Sequence, residues 1–508
     1  MTRVLVAGLL VILVLTGCAS QTPTPLVFPV NGGGGRGLSD LSGDFEINEC
    51  PNTGQGDAGS LECGFLNVPL DHDDPYGEKI KIWITIVHPE SETIKPDPVV
   101  FLSYGSSFGF SFGFRNTLID RDLILVELRG MGRSEPAFTC PEVNEAAANL
   151  LTLPPYRQEA QLRIREAQEN CYLRWQAGGV DLAHFSTEAM TADLEALRQA
   201  LGYEQWNIYA GGYAARVALQ YVDQYRQSVR SLTIDSTAAL FGDDLVGLAA
   251  NNERVLNYFF DACAAEPGCN EAFPELKNAF FEVVDQLNAS PTLMEVSDLS
   301  AGRRFEIYVD GDRMIDLLLR AVTSFNQGIL PEIPRTIYRA KGGEYDYLAR
   351  LIGSLGTGSG STVSSNGTQW LVECGELLPQ TNIDRILQAG GVENEDMSAY
   401  FRRRFTFTAN TCDVLKDIRP DTDFSQIAPS DTPVLIVYSQ QNPTTVPEWS
   451  EKAAEMLAGA QVVPVAGGQN RSNNCVRGIV TAFMDDPETQ PDTACSLTKP
   501  TYTWITLP

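Results

Sequence analysis

Histidine is nearly missing from this chain of 508 residues: only His72, His88 and His184 occur, and none follows position 184. Any chemistry built on an imidazole base farther along the chain therefore has no residue to supply it. No C-x-x-C pair occurs, and so few histidines leave no ordinary ligand set for zinc, so neither a metal nor a cofactor is expected. Positive charge is the minority sign: 37 Lys and Arg stand against 65 Asp and Glu, a formal net charge of −28. Phosphate recognition needs clustered cations, so a nucleic-acid partner is excluded, as is electrostatic docking on anionic lipid. No apolar run after the first eighteen residues is long enough to span a bilayer, and no internal repeat is evident.

What is there begins with a targeting pattern. Arg3 precedes an apolar run from Val4 to Leu15, and Leu15-Thr16-Gly17-Cys18 follows. The run is short and ends in small residues, which predicts a cleaved signal over residues 1–17. The last four residues resemble a bacterial lipobox, which implies a diacylglycerol on Cys18 and an extracytoplasmic protein held at the bacterial envelope by its acyl chains alone. Residues 18–45, with Pro23, Pro25, Pro29 and the Gly32–Gly35 run, form a flexible linker. The ten remaining cysteines fall into sequence neighbours, Cys50/Cys63, Cys140/Cys171, Cys263/Cys269, Cys374/Cys412 and Cys475/Cys495. An even set in an exported protein reads as a disulfide framework whose connectivity the sequence leaves open; neighbour pairing is the working expectation.

Structure is expected to begin near Cys50. Ile80, Ile82, Ile84 and Ile86 alternate with Lys81, Trp83 and Thr85 as in a strand. Val99–Leu102 and Leu123–Val126 read as buried strands, and Met190, Leu194, Leu197 and Leu201 line one helix face closed by Gly202. The strand Trp206–Tyr209, the small-residue turn Ala210–Ala214, a helix carrying Val217, Tyr221, Val222 and Tyr225, and the strand Leu232–Ile234 continue the alternation. The pattern predicts an α/β fold with a mostly parallel sheet covered by helices on both faces. Residues 46–240 form its first half, 241–415 a mainly helical inserted lid with a mobile Gly353–Gly367 loop, and 416–508 its second half with strands at Pro433–Tyr438 and Gln461–Val465.

Four stretches then carry a resemblance. Glu127-Leu128-Arg129-Gly130-Met131-Gly132-Arg133-Ser134-Glu135-Pro136, the helix from Asp193 to Tyr203, Thr432–Leu435 with Pro443 and Pro447–Trp449, and Cys475 through Pro487 to Cys495 are similar to the secreted tripeptidyl-aminopeptidase and proline-iminopeptidase branch of the α/β-hydrolases. The resemblance spans about 46–505 and implies an α/β-hydrolase fold. That fold places its nucleophile in a G-x-S-x-G elbow, followed along the chain by an acid and a histidine. Here the corresponding positions hold Gly212, Asn442 and Gln469. Glycine cannot attack, Asn cannot stabilise an imidazolium as a carboxylate does, and Gln cannot serve as a base near neutral pH. The oxyanion segment is altered as well, reading Ser103-Tyr104-Gly105-Ser106-Ser107-Phe108-Gly109.

The remaining polar candidates have plain roles. His72, in Asp71–Asp74, is expected on an exposed turn that binds no calcium; His88 is structural at a strand end, and His184 packs or caps before a helix. Cys374-Gly375-Glu376 resembles the lid segment in which such peptidases place a Glu for a substrate's α-amino group, so Glu376, with Tyr104 and Tyr213, is a candidate ligand contact. The sequence thus reads as a catalytically degenerate hydrolase homologue that binds peptide or a protein partner. The alternatives are an active hydrolase with relocated residues, Ser106 or Ser107 included, and a structural envelope lipoprotein.

Overall fold

The computed structural model describes residues 44–51, 61–89, 91, 94–102, 120–179, 181–238, 240, 242–298, 302–324, 329–355, 366–377, 384, 386, 391–415, 430–466, 473–498 and 502–506. Among these, a sheet of nine strands runs in the order β1-β2-β3-β5-β4-β6-β7-β10-β11. Strands β1 (Phe45–Asn48), β2 (Leu61–Pro69) and β3 (Lys79–Val87) form an antiparallel meander that joins β5 (Leu123–Glu127). From β5 onward, β4 (Val99–Leu102), β6 (Trp206–Gly212), β7 (Val229–Thr237), β10 (Val434–Ser439) and β11 (Gln461–Val465) are parallel. Every residue of β4, β5 and β10 is buried, as parallel strands require when helices cover both faces.

The covering helices are α1 (Pro141–Asn149), α2 (Gln158–Ala177), α3 (Thr187–Leu201) and α4 (Ala214–Gln224) in the first half. The helix α3 is delimited by its own sequence: Ser186 Oγ accepts the Ala189 N–H at 3.2 Å, and Gly202 ends it with φ +76°. The cap holds α5 (Leu248–Ala265), α6 (Leu276–Ala289), α7 (Gly311–Ser324), α8 (Ile333–Lys341), α9 (Asp346–Leu355), α10 (Asn366–Val372) and α11 (Glu395–Val414) around its own apolar core. The second half closes with α12 (Pro447–Glu455) and α13 (Asn474–Asp485). Five disulfides join the sequence neighbours, Cys50–Cys63, Cys140–Cys171, Cys263–Cys269, Cys374–Cys412 and Cys475–Cys495. Among the described residues no helix is long and apolar enough to cross a membrane.

The fold departs from the sequence reading in four places. Order starts before Cys50, because β1 pairs with β2 and Asp44 and Glu46 take the ammonium groups of Lys79 and Lys81. The strand β3 is covered on both faces, so Trp83 and Thr85 are buried beside the isoleucines. The cap contains a hairpin, β8 (Thr292–Asp298) and β9 (Arg303–Val309), whose Met294, Val296 and Asp298 point inward by alternation. Gly353 is helical rather than part of a loop: a Cβ there would sit 2.1 Å from the Ser297 carbonyl oxygen, so the glycine permits α9 to lie against β8. The segment Tyr502–Ile505 crosses from the second half to the cap. Tyr502 donates to Gln441 Oε1 at 3.2 Å, Trp504 meets the Phe259 ring at 5.6 Å, and the Ile505 N–H donates to the Pro331 carbonyl at 3.1 Å.

Candidate functional site

The strand-to-helix turn at the end of β6 centres on Gly212. Its flanks Ala210 and Ala214 are fully buried small residues, and its φ of +57° lies in the left-handed region that glycine tolerates. Its carbonyl accepts the Ala238 N–H at 3.1 Å, and a Cβ placed there would meet no atom within 4 Å. The turn thus has the form of an elbow with room for a side chain and none present. Beside it, Gly211 pairs with Asp235 and Gly212 with Thr237, so Ser236 is bulged out of register. Ser236 takes φ +59°, is buried, and its Oγ has no hydrogen-bond partner among the described residues. The sequence reading passed over Ser236; its only signal was a polar Ser-Thr pair ending a buried strand.

Directly after the elbow, Tyr213 leads into a buried polar network. Its hydroxyl lies 2.9 Å from Thr187 Oγ1, and Thr187 donates its N–H and hydroxyl to the Glu376 carboxylate at 2.7–2.9 Å. One hydroxyl carries one proton, so Tyr213 donates to Thr187 and Thr187 to Glu376. Burial, reinforced by the Glu376 charge, pushes the Tyr213 phenol well above its ordinary range, so it stays neutral. Arg216, on α4, completes the set at 3.4 Å from Glu376 Oε2 and donates to the Leu240 carbonyl at 2.5 Å. The Glu376 carboxylate, on a π-helical turn Glu373–Leu377 of the cap, is 0% exposed and faces Thr187 and Arg216. This set joins cap to core, and a ligand ammonium could reach Glu376 only by displacing those partners.

Asn442 sits in the loop after β10. Its Oδ1 accepts the Thr444 N–H and hydroxyl at 2.9 and 2.8 Å, so the carboxamide shapes its own turn. The loop is further pinned to α5, where Asn251 and Asn252 donate to the Asn442 and Pro443 carbonyls, each at 2.9 Å. Gln469, Tyr104, Ser106, Ser107 and Cys18 lie outside the described residues.

The histidines serve the scaffold. Arg129 is completely buried and donates to both oxygens of Asp193, at 2.7 and 2.5 Å, and to the Leu70 and His184 carbonyls. His72 is not the free surface residue its aspartate-rich turn suggested: its Nε2 lies 2.9 Å from Asp193 Oδ1 and 3.0 Å from Arg129. His88 is held between Asp122, at 2.9 Å, and Glu62, at 3.2 Å; the Asp122 hydrogen bond, against some desolvation, raises its pKa. The His184 ring lies 3.7 Å from Asp181 and 3.9 Å from Asp71. Among the described residues no hydrogen bond joins a histidine to a Ser, Thr or Cys side chain. The grouping Cys140, Glu142 and Cys171 lies at metal-ligand spacing, but its two cysteines are spent in a disulfide.

The family matches of the sequence agree with this architecture. Residues 110–287 match the alpha/beta hydrolase fold family and residues 398–495 match the family described as TAP-like protein. The chain is 22% identical over 475 residues to the serine protease Hip1 of Mycobacterium tuberculosis, covering 86% of this chain and 87% of that protein. It is 25% identical over 192 residues to the tripeptidyl aminopeptidase of Streptomyces lividans, 35% of each chain. A solved structure of proline iminopeptidase from Mycobacterium smegmatis is similar with a TM-score of 0.36 at 11% identity, covering 83% of this chain and 98% of that one.

Proposed function

We propose, from the premise that this chain has the α/β-hydrolase fold with a TAP-like C-terminal region, that it is a hydrolase homologue without turnover that binds peptide or a protein partner. It acts outside the cytoplasm, tethered by acyl chains on Cys18. The observation that carries the reading is Gly212, which forms the elbow with no side chain to attack a carbonyl. Asn442 at the expected acid position spends its oxygen on Thr444, and Gln469 stands where a histidine is needed. The peptidase names of the relatives make peptide the ligand class to test first. Five disulfides fit an oxidising compartment, and labelling with radioactive palmitate, abolished by Cys18→Ala, tests the anchor.

The central test is a fluorophosphonate probe with a peptide thermal-shift series on the pure protein. The reading expects no labelling and a rise in melting temperature with bound peptide, because a ligand of the folded state stabilises it. Inhibitor-sensitive labelling or turnover would sink it. A second reading, an active hydrolase with a relocated nucleophile, draws on Ser236, which stands beside the elbow with a strained backbone and a hydroxyl that has no partner among the described residues. Labelling that disappears in Ser236→Ala would establish that alternative.

A further inference from the structure

One cavity lies away from the elbow. It encloses about 430 Å³ between the α1–α2 pair and the cap helices α10 and α11, within the size range of small-ligand sites. Its lining includes none of Gly212, Tyr213 or Asn442. Leu150, Ile164 and Trp370 give the lining apolar surface; Arg313, Arg404 and Glu373 supply charge. The Cys374–Cys412 disulfide forms part of the lining and fixes α11 to the turn that carries Glu373.

The two arginines differ from every buried arginine of the core. Arg129 and Arg216 are matched to carboxylates. Arg404 makes one hydrogen bond, to the Tyr400 hydroxyl at 3.2 Å, and Arg313 directs one nitrogen to the Leu151 and Tyr308 carbonyls. Among the described residues neither closes a salt bridge. Asp312 and Asp316 line an adjoining cavity of about 210 Å³ that shares Tyr156 and Arg313 with the first; Asp312 is paired with Arg403, and Asp316 accepts from the Tyr400 hydroxyl at 3.2 Å. The lining of the first cavity thus carries two guanidinium groups without a salt bridge among the described residues, together with Glu373 and the Trp370 ring. A guanidinium has five N–H donors in a planar fork that fits a carboxylate.

We propose that this groove is the ligand site, and that it takes the C-terminal end of a short peptide: Arg404 and Arg313 receive the carboxylate, and an apolar terminal side chain packs on Leu150, Ile164 and Trp370. This deepens the binding reading above, and rests on it only for the ligand class; turnover at the elbow would defeat that reading and leave the groove testable.

The test is calorimetric titration of the full chain with N-acetyl-Leu-Phe, its carboxamide and octanoate. The free-acid peptide is expected to bind, the carboxamide about tenfold or more weaker, since a charge-assisted pair is lost. Arg404→Gln and Arg313→Gln are each expected to weaken the acid by a similar factor and to erase the acid–amide difference. Arg304→Gln, the same charge change on the exposed β8–β9 hairpin, leaves binding as it was. Melting temperatures of the variants separate a lost contact from a lost fold, and Arg404→Lys is the second variant should Arg404→Gln unfold. Equal affinity for acid and amide, no binding at millimolar concentration, or octanoate binding as tightly as the peptide overturns the assignment.

Discussion

The elbow and the cap groove are opposite cases. At the elbow the backbone form is intact, with a left-handed glycine, small flanks and space for a side chain, yet the adjoining charges of Arg216 and Glu376 satisfy each other. In the groove nothing resembles catalytic machinery, yet Arg313 and Arg404 hold donors that no described residue uses. A scaffold can keep the geometry of a reaction centre while the recognition chemistry stands elsewhere, because function lives in sites and not in folds.

Four experiments sharpen or break that contrast. The largest effect is expected from Glu376→Ala, which leaves the buried Arg216 without its anion and Thr187 without its acceptor. Breaking a buried pair from one side costs about 3–5 kcal/mol, to be read from denaturant unfolding. A loss under about 1 kcal/mol with weaker peptide binding would instead return Glu376 to the ligand site. Next, Gly212→Ser is expected to destabilise by about 1–3 kcal/mol through its positive φ, without a clash, and to remain unlabelled by fluorophosphonate. The combination Gly212→Ser, Asn442→Asp and Gln469→His is expected to gain labelling; if the single variant labels, a base already present was overlooked. Third, Asn442→Asp alone preserves the acceptor for Thr444 and is expected to change stability by less than about 1 kcal/mol and activity not at all.

The smallest effect concerns pH. Because Asp122 raises the His88 pKa in the folded protein, the His88 contribution is complete below about pH 6.5, the unfolded value, and is lost as pH climbs through the raised folded value. His88→Gln is therefore expected to flatten the fall in melting temperature above that pH. An unchanged slope would show that the ion pair contributes nothing.

The parallel strands were legible in the sequence because burial on both faces leaves continuous apolar runs such as Val99–Leu102 and Leu123–Glu127. The disulfide pairs were legible as neighbours, although spacing alone could not fix them. The β8–β9 hairpin was not, because its short alternating strands lie among helices and turn only a few residues inward, Met294, Val296 and Asp298 from β8 and Ile307 and Val309 from β9. His72 was misread because its turn is rich in aspartate, while the partner that draws it in, Asp193, lies 121 positions away. At the candidate site the elbow could be read from Ala210–Ala214, since tight turns need small residues. The groove could not, because Leu150, Arg313, Trp370 and Arg404 come from four distant stretches and no local pattern connects them.

The strap formed by Tyr502, Trp504 and Ile505 carries one more consequence. It fastens the cap, at Phe259 and Pro331, to the Gln441 loop of the second half. A cap tied in this way is expected to open only after those three contacts release.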